Sequence, residues 1–364
     1  MSYVNKKLNM TDKKIKELEV TQEYEDNSND LPPSDIVAFN ELRSCADLLR
    51  LYKSKQLDIQ PDFQRDIVWS RPDQTRFIDS LTKQLPIPSM CISLDYKTDK
   101  RLIIDGLQRI HSIINFLSDD EWKLSELDDI DEKLAGKTVH TIKTKSKEVF
   151  ERVQNVMIPV TVIRCDYSKK THNEYLFTIF HRLNSGGVKL NNQEIRNCIY
   201  NGTLNSLLKK LAKATETKKL FGLKTRFANE EMILRFFAFN ERLNTYNGKL
   251  SKFLNDYMFD FRNYSEYEVK TKSSLYFETT NLIYEVIFDK TPATSYGKTF
   301  LEGLLYGVSQ NLEKLKLEKR EKLKLLFENF KALPEYSVQS LKEGLAAKEK
   351  VNERFNASKN CFAN

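Results

Sequence analysis

Arg101-Leu102-Ile103-Ile104-Asp105-Gly106-Leu107-Gln108-Arg109 is the stretch on which the fold of this chain turns. Its first residues are apolar and branched, which predicts a short buried strand over 101–104. Asp105 and Gly106 interrupt it. Ile110, Ile113, Ile114 and Leu117 then recur on one face of a helix predicted over 107–117. A carboxylate, a glycine that lets the backbone turn and a guanidinium thus meet at a helix mouth, the parts that phosphate chemistry uses. Arg109 and the first-turn amides would hold phosphate oxygens, and Asp105 would hold Mg²⁺ through water or orient an attacking water. An ordinary strand-to-helix turn capped by Asp105 or a neighbour uses the same residue types. On the pentapeptide alone both readings stay open.

Working outward, Lys97-Thr98-Asp99-Lys100 is a turn joining this strand to an earlier one over 90–96. Before that, Ser70 as N-cap with Asp73 three residues later starts a helix whose inner face is Phe77, Ile78 and Leu81; Pro86-Ile87-Pro88 stops it. Ile36-Val37-Ala38-Phe39 reads as the first strand, and 42–51 has helical spacing. Downstream, 118–155 is acidic and less regular, and 158–164 is a strand that closes the sheet. From Asn173 onward the apolar period is helical, which puts a boundary near 168. The expected fold is α+β: a polar arm (1–34), a small mixed-sheet domain (35–168), an all-helical domain (169–355) and a tail (356–364).

A chain of 364 residues with 40% hydrophobic content has enough apolar surface for two cores. No apolar run reaches the roughly 18–20 residues of a membrane span, and the N-terminus has no apolar signal region. The expectation is a soluble, cytoplasmic protein. Five scattered cysteines and four histidines form no CxxC or HxxxH pattern, which excludes a disulfide framework and a His/Cys metal site. The net charge of +7 suits a polyanionic partner such as DNA without requiring one.

Two further segments carry chemistry. In Phe63-Gln64-Arg65-Asp66-Ile67-Val68-Trp69, Arg65 precedes a helix and could reach the same pocket, with Phe63 or Trp69 stacking on a base; a surface Arg beside a core Trp is the competing account. In the stretch from His181 to Arg196, Gly186 or Gly187 ends one helix, and Asn191 with Glu194 makes a capping box for the next. Capping explains the glycines but not the gathering of Arg182, Asn184 and Arg196 at one turn. Gly297-Lys298-Thr299 looks like the end of a P-loop, but Pro292 stands where the leading glycine belongs, so it is read as a loop. The lysine-rich run over 314–324 is read as a solvated helix with a packed apolar face.

In order and spacing these segments resemble the domain at the N-terminus of GmrSD-type modification-dependent restriction enzymes. That family carries a Pro-x-Phe/Tyr-Gln-Arg-x-x-x-Trp box, a Pro-Ile-Pro turn, Asp-Gly-Gln-Gln-Arg, and later Phe-x-Arg-Leu-Asn-x-Gly-Gly followed by Leu and Glu-Leu-Arg-Asn. Here these stand at 61–69, 86–88, 105–109, 180–187, Leu190 and 194–197, and the resemblance spans about 36–355. It implies a ParB/sulfiredoxin-like fold and NTP binding and hydrolysis with Mg²⁺ in antiphage defence. The implied pocket is Phe63, Gln64, Arg65, Asp105, Gly106, Gln108 and Arg109, with Arg182, Asn184 and Arg196 added from the later boxes. Arg65, Asp105 and Arg109 are the implied catalytic set, and Asp105 the metal ligand.

The chain departs from the family at two places. Leu107 replaces a Gln and so removes one hydrogen-bonding group. No HNH nuclease signature is present and no His follows His181, so the base and metal ligands of that chemistry are lacking. The expectation is a sensor-type, NTP-hydrolysing subunit that acts on DNA, modified DNA included, with a separate HNH nuclease partner. A DNA-binding regulator without turnover, or a weak nuclease using the ParB-like pocket, is the alternative.

Overall fold

The computed structural model describes residues 32–59, 69–183, 190–222, 227–342 and 344–364. The chain forms two compact units, Asp30–Leu190 and, within the described residues, Asn191–Asn364. In the first, strand β1 (Val37–Ser44) leads through helix α1 (Cys45–Lys53) to the two-residue strand β2 (Leu57–Asp58). Helix α2 (Arg71–Thr82), strand β3 (Met90–Asp95), strand β4 (Arg101–Asp105) and helix α3 (Leu107–Ser118) follow. Two short helices, α4 (Val139–Lys145) and α5 (Lys147–Asn155), precede β5 (Met157–Cys165) and helix α6 (Lys170–Leu183).

The sheet order is β1-β5-β3-β4-β2. β1 is antiparallel to β5 and β3 antiparallel to β4, whereas β3–β5 and β2–β4 are parallel. This is the expected small mixed sheet. Helices α1, α2, α3 and α5 pack together over it, and their core joins Leu48, Ile78, Ile110, Ile113, Phe116, Val160 and Val162. The acidic stretch after α3 is not an irregular insertion: Trp122, Leu124, Leu134, Val139, Ile142, Val149 and Val153 all enter the same core.

The unit extends to Leu190, well past the point where strand-like sequence ends. Helix α6 remains with the sheet because it packs on β4, and His172, fully buried, accepts from Asp166 N–H at 2.9 Å and bonds Asp35 at 2.9 Å.

Among its described residues the second unit has helices and no strand. They are α7 (Asn192–Ile199), α8 (Thr203–Lys213), α9 (Thr215–Phe221), α10 (Ala228–Arg242), α11 (Leu250–Asp260), α12 (Glu266–Leu282), α13 (Lys298–Gln310), α14 (Leu312–Leu315), α15 (Arg320–Lys331), α16 (Val338–Lys342) and α17 (Lys348–Ala363). Helix α10 is buried over most of its length and packs on α8, α11 and α13. The Asn191–Glu194 capping box starts α7 as expected. The lysine-rich run is two helices, α14 and α15, rather than one; Leu315 and Leu323 face inward, and Lys316 and Lys324 pair with Glu278 and Asp289. Helix α17 continues to Ala363 where a tail was expected, because Phe362 is fully buried against Phe330 and beside Gly307. No helix among the described residues is long and apolar enough to cross a membrane.

Candidate functional site

The junction of β4 and α3 is built by a break in register. Cys91 pairs with Asp105 and Ile92 with Ile103, so Ile104 is an extra residue bulged out of β4. Bulges re-aim the side chains that follow them, and Asp105 follows this one. Its carboxylate is 39% exposed at the strand's end. Gly106, not Asp105, is the N-cap of α3, at φ 99° in the left-handed region, and no side chain caps the helix. Any Cβ on Gly106 would lie 2.8 Å from Met90 Cγ, so this turn requires glycine on two counts.

The first intrahelical bond is Ile110 N–H to Gly106 O at 2.9 Å. The amides of Leu107, Gln108 and Arg109 come before it, at the positive end of a 12-residue helix. Arg109 donates from Nη2 to Asp105 Oδ2 at 2.8 Å and from Nη1 to the carbonyls of Pro88 and, at 3.4 Å, Ser89. Its guanidinium therefore clamps the Pro86-Ile87-Pro88 turn onto the helix mouth. Gln108 Oε1 accepts from Trp69 N–H at 3.4 Å, which ties the end of the upstream Arg-bearing segment to the same helix. Trp69 packs edge-on against Phe77, and its carbonyl accepts from Gln74.

Leu107 is partly buried and packed against the core of the unit. Cys91, opposite Asp105 across the sheet, is buried; desolvation first and the Asp105 charge second push its thiol up to about 12, so it stays protonated and unreactive at neutral pH. Partial burial and then the Arg71 charge hold His111, on the same helix, below its usual range.

The structure thus brings together Asp105, Gly106, Gln108 and Arg109, with Trp69. Phe63, Gln64, Arg65 and Asn184 lie outside the described residues. Arg182 stands on the exposed final turn of α6. Arg196 belongs to the helical unit, where it is 2% exposed and donates to Asn255 Oδ1 at 2.8 Å and to Ser251 Oγ at 3.2 Å. The carbonyls of Pro88 and Ser89 were not foreseen as partners of Arg109; the Pro-Ile-Pro turn was the available signal.

Among the described residues no three His, Cys, Asp or Glu side chains gather to hold a metal. A single exposed carboxylate is what Mg²⁺ requires when it arrives with a polyphosphate, since phosphates and water supply most of its ligands. Asp105 fits that role, with Arg109 beside it as the competing cation.

Neither a curated protein nor a solved structure matches the chain. A family model does: residues 45–201 match the GmrSD restriction endonuclease, N-terminal domain. All of β2 to β5, the clamped helix mouth and helix α7 fall inside that match. Residues 45–201 of this chain are a domain of the GmrSD N-terminal family.

Proposed function

We propose that the first unit binds an NTP at the mouth of α3, hydrolyses it with Mg²⁺, and serves as the sensor or regulatory subunit of a restriction system whose DNA-cutting chemistry resides in a separate nuclease. The observation that carries this reading is the uncapped start of α3 with Asp105 and Arg109 fixed beside it. Polyphosphate oxygens would accept from the first-turn amides. Arg109, already oriented by Pro88, would need only to turn one face of its fork toward them. Mg²⁺, carried in on the phosphates, would neutralise charge on the transferred group and meet Asp105. The family's tie to restriction supports DNA as the target, modified DNA included, and supports the nuclease partner.

A second reading has its own observation. Leu107 stands where the family carries Gln and packs on the core, so the mouth lacks one group able to orient water. That favours a nucleotide held as an effector without turnover, in a DNA-binding regulator.

Calorimetric titration of the full chain with each NTP and Mg²⁺, followed by phosphate release with and without DNA, separates these. Hydrolysis lowered about 10²-fold or more by Arg109→Ala supports the first reading. Binding without release, abolished by the same variant, supports the second. No binding of any NTP overturns both. DNA nicking by the chain alone, lost in Asp105→Ala, would replace the partner with this chain as the nuclease.

A further inference from the structure

Helices α8 and α9 meet at a single residue, Ala214, held extended at φ −63° and ψ 149°. Thr217 closes this corner. Its hydroxyl donates to the Leu211 carbonyl at 2.6 Å, so it accepts from the Tyr276 hydroxyl of α12 at 2.9 Å. The inner faces are apolar: Leu204, Leu207, Leu208 and Leu211 of α8 and Leu220 and Phe221 of α9 are all buried. The outer faces are cationic. Lys210, Lys213, Lys218 and Lys219 are exposed, and residues 203–222 hold five lysines against one carboxylate, Glu216.

Other lysine-bearing surfaces of the helical unit carry their own counter-charges. Lys316 pairs with Glu278, Lys322 with Glu318, Lys324 with Asp289 and Lys331 with Glu328. Among the described residues Lys210, Lys213, Lys218 and Lys219 pair with no carboxylate. Helix C-termini favour cations, and the dipoles of α8 and α9 account for one lysine at each end. A second cation on the same face repels the first, as Lys213 does Lys210 one turn away. A polyanion relieves that repulsion.

The rest of the face selects among polyanions. The other exposed positions of the two helices are Thr203, Ser206 and Thr215, and the aromatic ring of Phe221 is turned inward. Single-stranded nucleic acid is held by bases stacked on aromatic side chains, and base edges are read chiefly by forked groups such as Arg, Asn and Gln. The corner presents neither. Ammonium and hydroxyl groups suit phosphate oxygens. Helical rise keeps Lys210 and Lys219 within roughly 20 Å of each other. A DNA duplex carries one charge per ~1.7 Å of its axis, so several phosphates lie within that span.

We propose that the α8–α9 corner grips the phosphate backbone of duplex DNA without reading its sequence. The proposal rests on DNA being the target of this chain, and adds where the helical unit holds it.

The test is binding of a labelled, unmodified duplex to the full chain without nucleotide, followed by fluorescence anisotropy over a series of KCl concentrations. Combining Lys210→Gln, Lys213→Gln, Lys218→Gln and Lys219→Gln should weaken binding at least about tenfold at low salt. The slope of log Kd against log[KCl] should fall by about 2–4, since each phosphate contact contributes ~0.9. Tm should not fall, because the four side chains are exposed and repel one another. The corresponding Lys→Arg changes should preserve the slope. Combining Lys316→Gln, Lys322→Gln, Lys324→Gln and Lys331→Gln removes as much charge elsewhere and should leave the slope at the parent's value. A slope lowered equally by both glutamine variants, or by neither, overturns the surface, while duplex binding by the parent still supports DNA as the target. No duplex binding by the parent at low salt overturns both. Tighter binding of single-stranded DNA or of an acidic polypeptide than of the duplex overturns duplex DNA as the occupant.

Discussion

Arg109 Nη2 donates to Asp105 Oδ2 at 2.8 Å across one turn of α3 while Nη1 of the same guanidinium reaches the Pro88 carbonyl. One side chain therefore joins the end of β4, the first turn of α3 and the Pro-Ile-Pro turn. Arg109→Ala should destabilise the first unit by about 1–3 kcal/mol, since it leaves backbone carbonyls and a carboxylate short of donors. Arg109→Lys should recover only part of this, because an ammonium cannot fork between Asp105 and Pro88. Urea unfolding of the three proteins measures it, and equal stability of the Ala variant and the parent would refute the clamp.

Gly106 makes the same junction possible from the backbone side. An alanine there must hold φ near 99° and place its Cβ 2.8 Å from Met90 Cγ. Left-handed strain and overpacking each cost about 1–3 kcal/mol, so Gly106→Ala should lower the urea midpoint clearly. Met90→Ala in the same chain should return part of the loss by making room. If the double variant is no more stable than the sum of the single changes, the steric account fails.

The thiols offer a separate check on burial. Desolvation pushes Cys45, Cys91 and Cys165 up to about 12, and only Cys361 of the five cysteines is partly exposed. A thiol with so high a pKa is protonated at pH 8 and does not attack. Native protein should therefore give slow labelling by a disulfide reagent at Cys361 and none at the other four, and all five should react after unfolding. Fast native labelling at Cys91 would mean that the sheet beside Asp105 is open.

The strand, turn and helix over 101–118 were legible because each has the period of its element and the turn carries glycine. β1 was read as four residues, yet it runs to Ser44. It is an edge strand whose Val37, Phe39 and Leu42 face outward, so its length is set by pairing with β5 and leaves no apolar alternation to read. Helices α4 and α5 were missed because seven and nine residues are too few for a period to stand out. The start of α13 was read as a loop because Pro292 stands where a P-loop glycine belongs, a test that rejects a P-loop but does not reject a helix start at Gly297. At the candidate site, residue types were legible and their partners were not. A guanidinium that bonds carbonyls twenty residues away leaves no mark in sequence, since any residue supplies a carbonyl.

Asp35 gives a prediction with a definite sign in pH. Its carboxylate accepts from Lys169 and, at 2.9 Å, from His172. His172 Nδ1 accepts the Asp166 amide, so the ring proton sits on Nε2 and points at Asp35. Hydrogen bonds from Lys169 first and His172 second lower the Asp35 carboxyl from 3.8 to about 2. A lowered carboxylate contributes stability in full above its unfolded value and loses it as pH falls through the folded one. The advantage of the parent over Asp35→Asn should thus be constant above 3.8 and shrink toward about 2. Because the carboxylate lies at the surface, the advantage should also shrink with added salt. Thermal unfolding of both proteins across that pH range, at two salt concentrations, tests this, and a gap that widens on acidification would show that Asp35 does not anchor α6 as an ionised group.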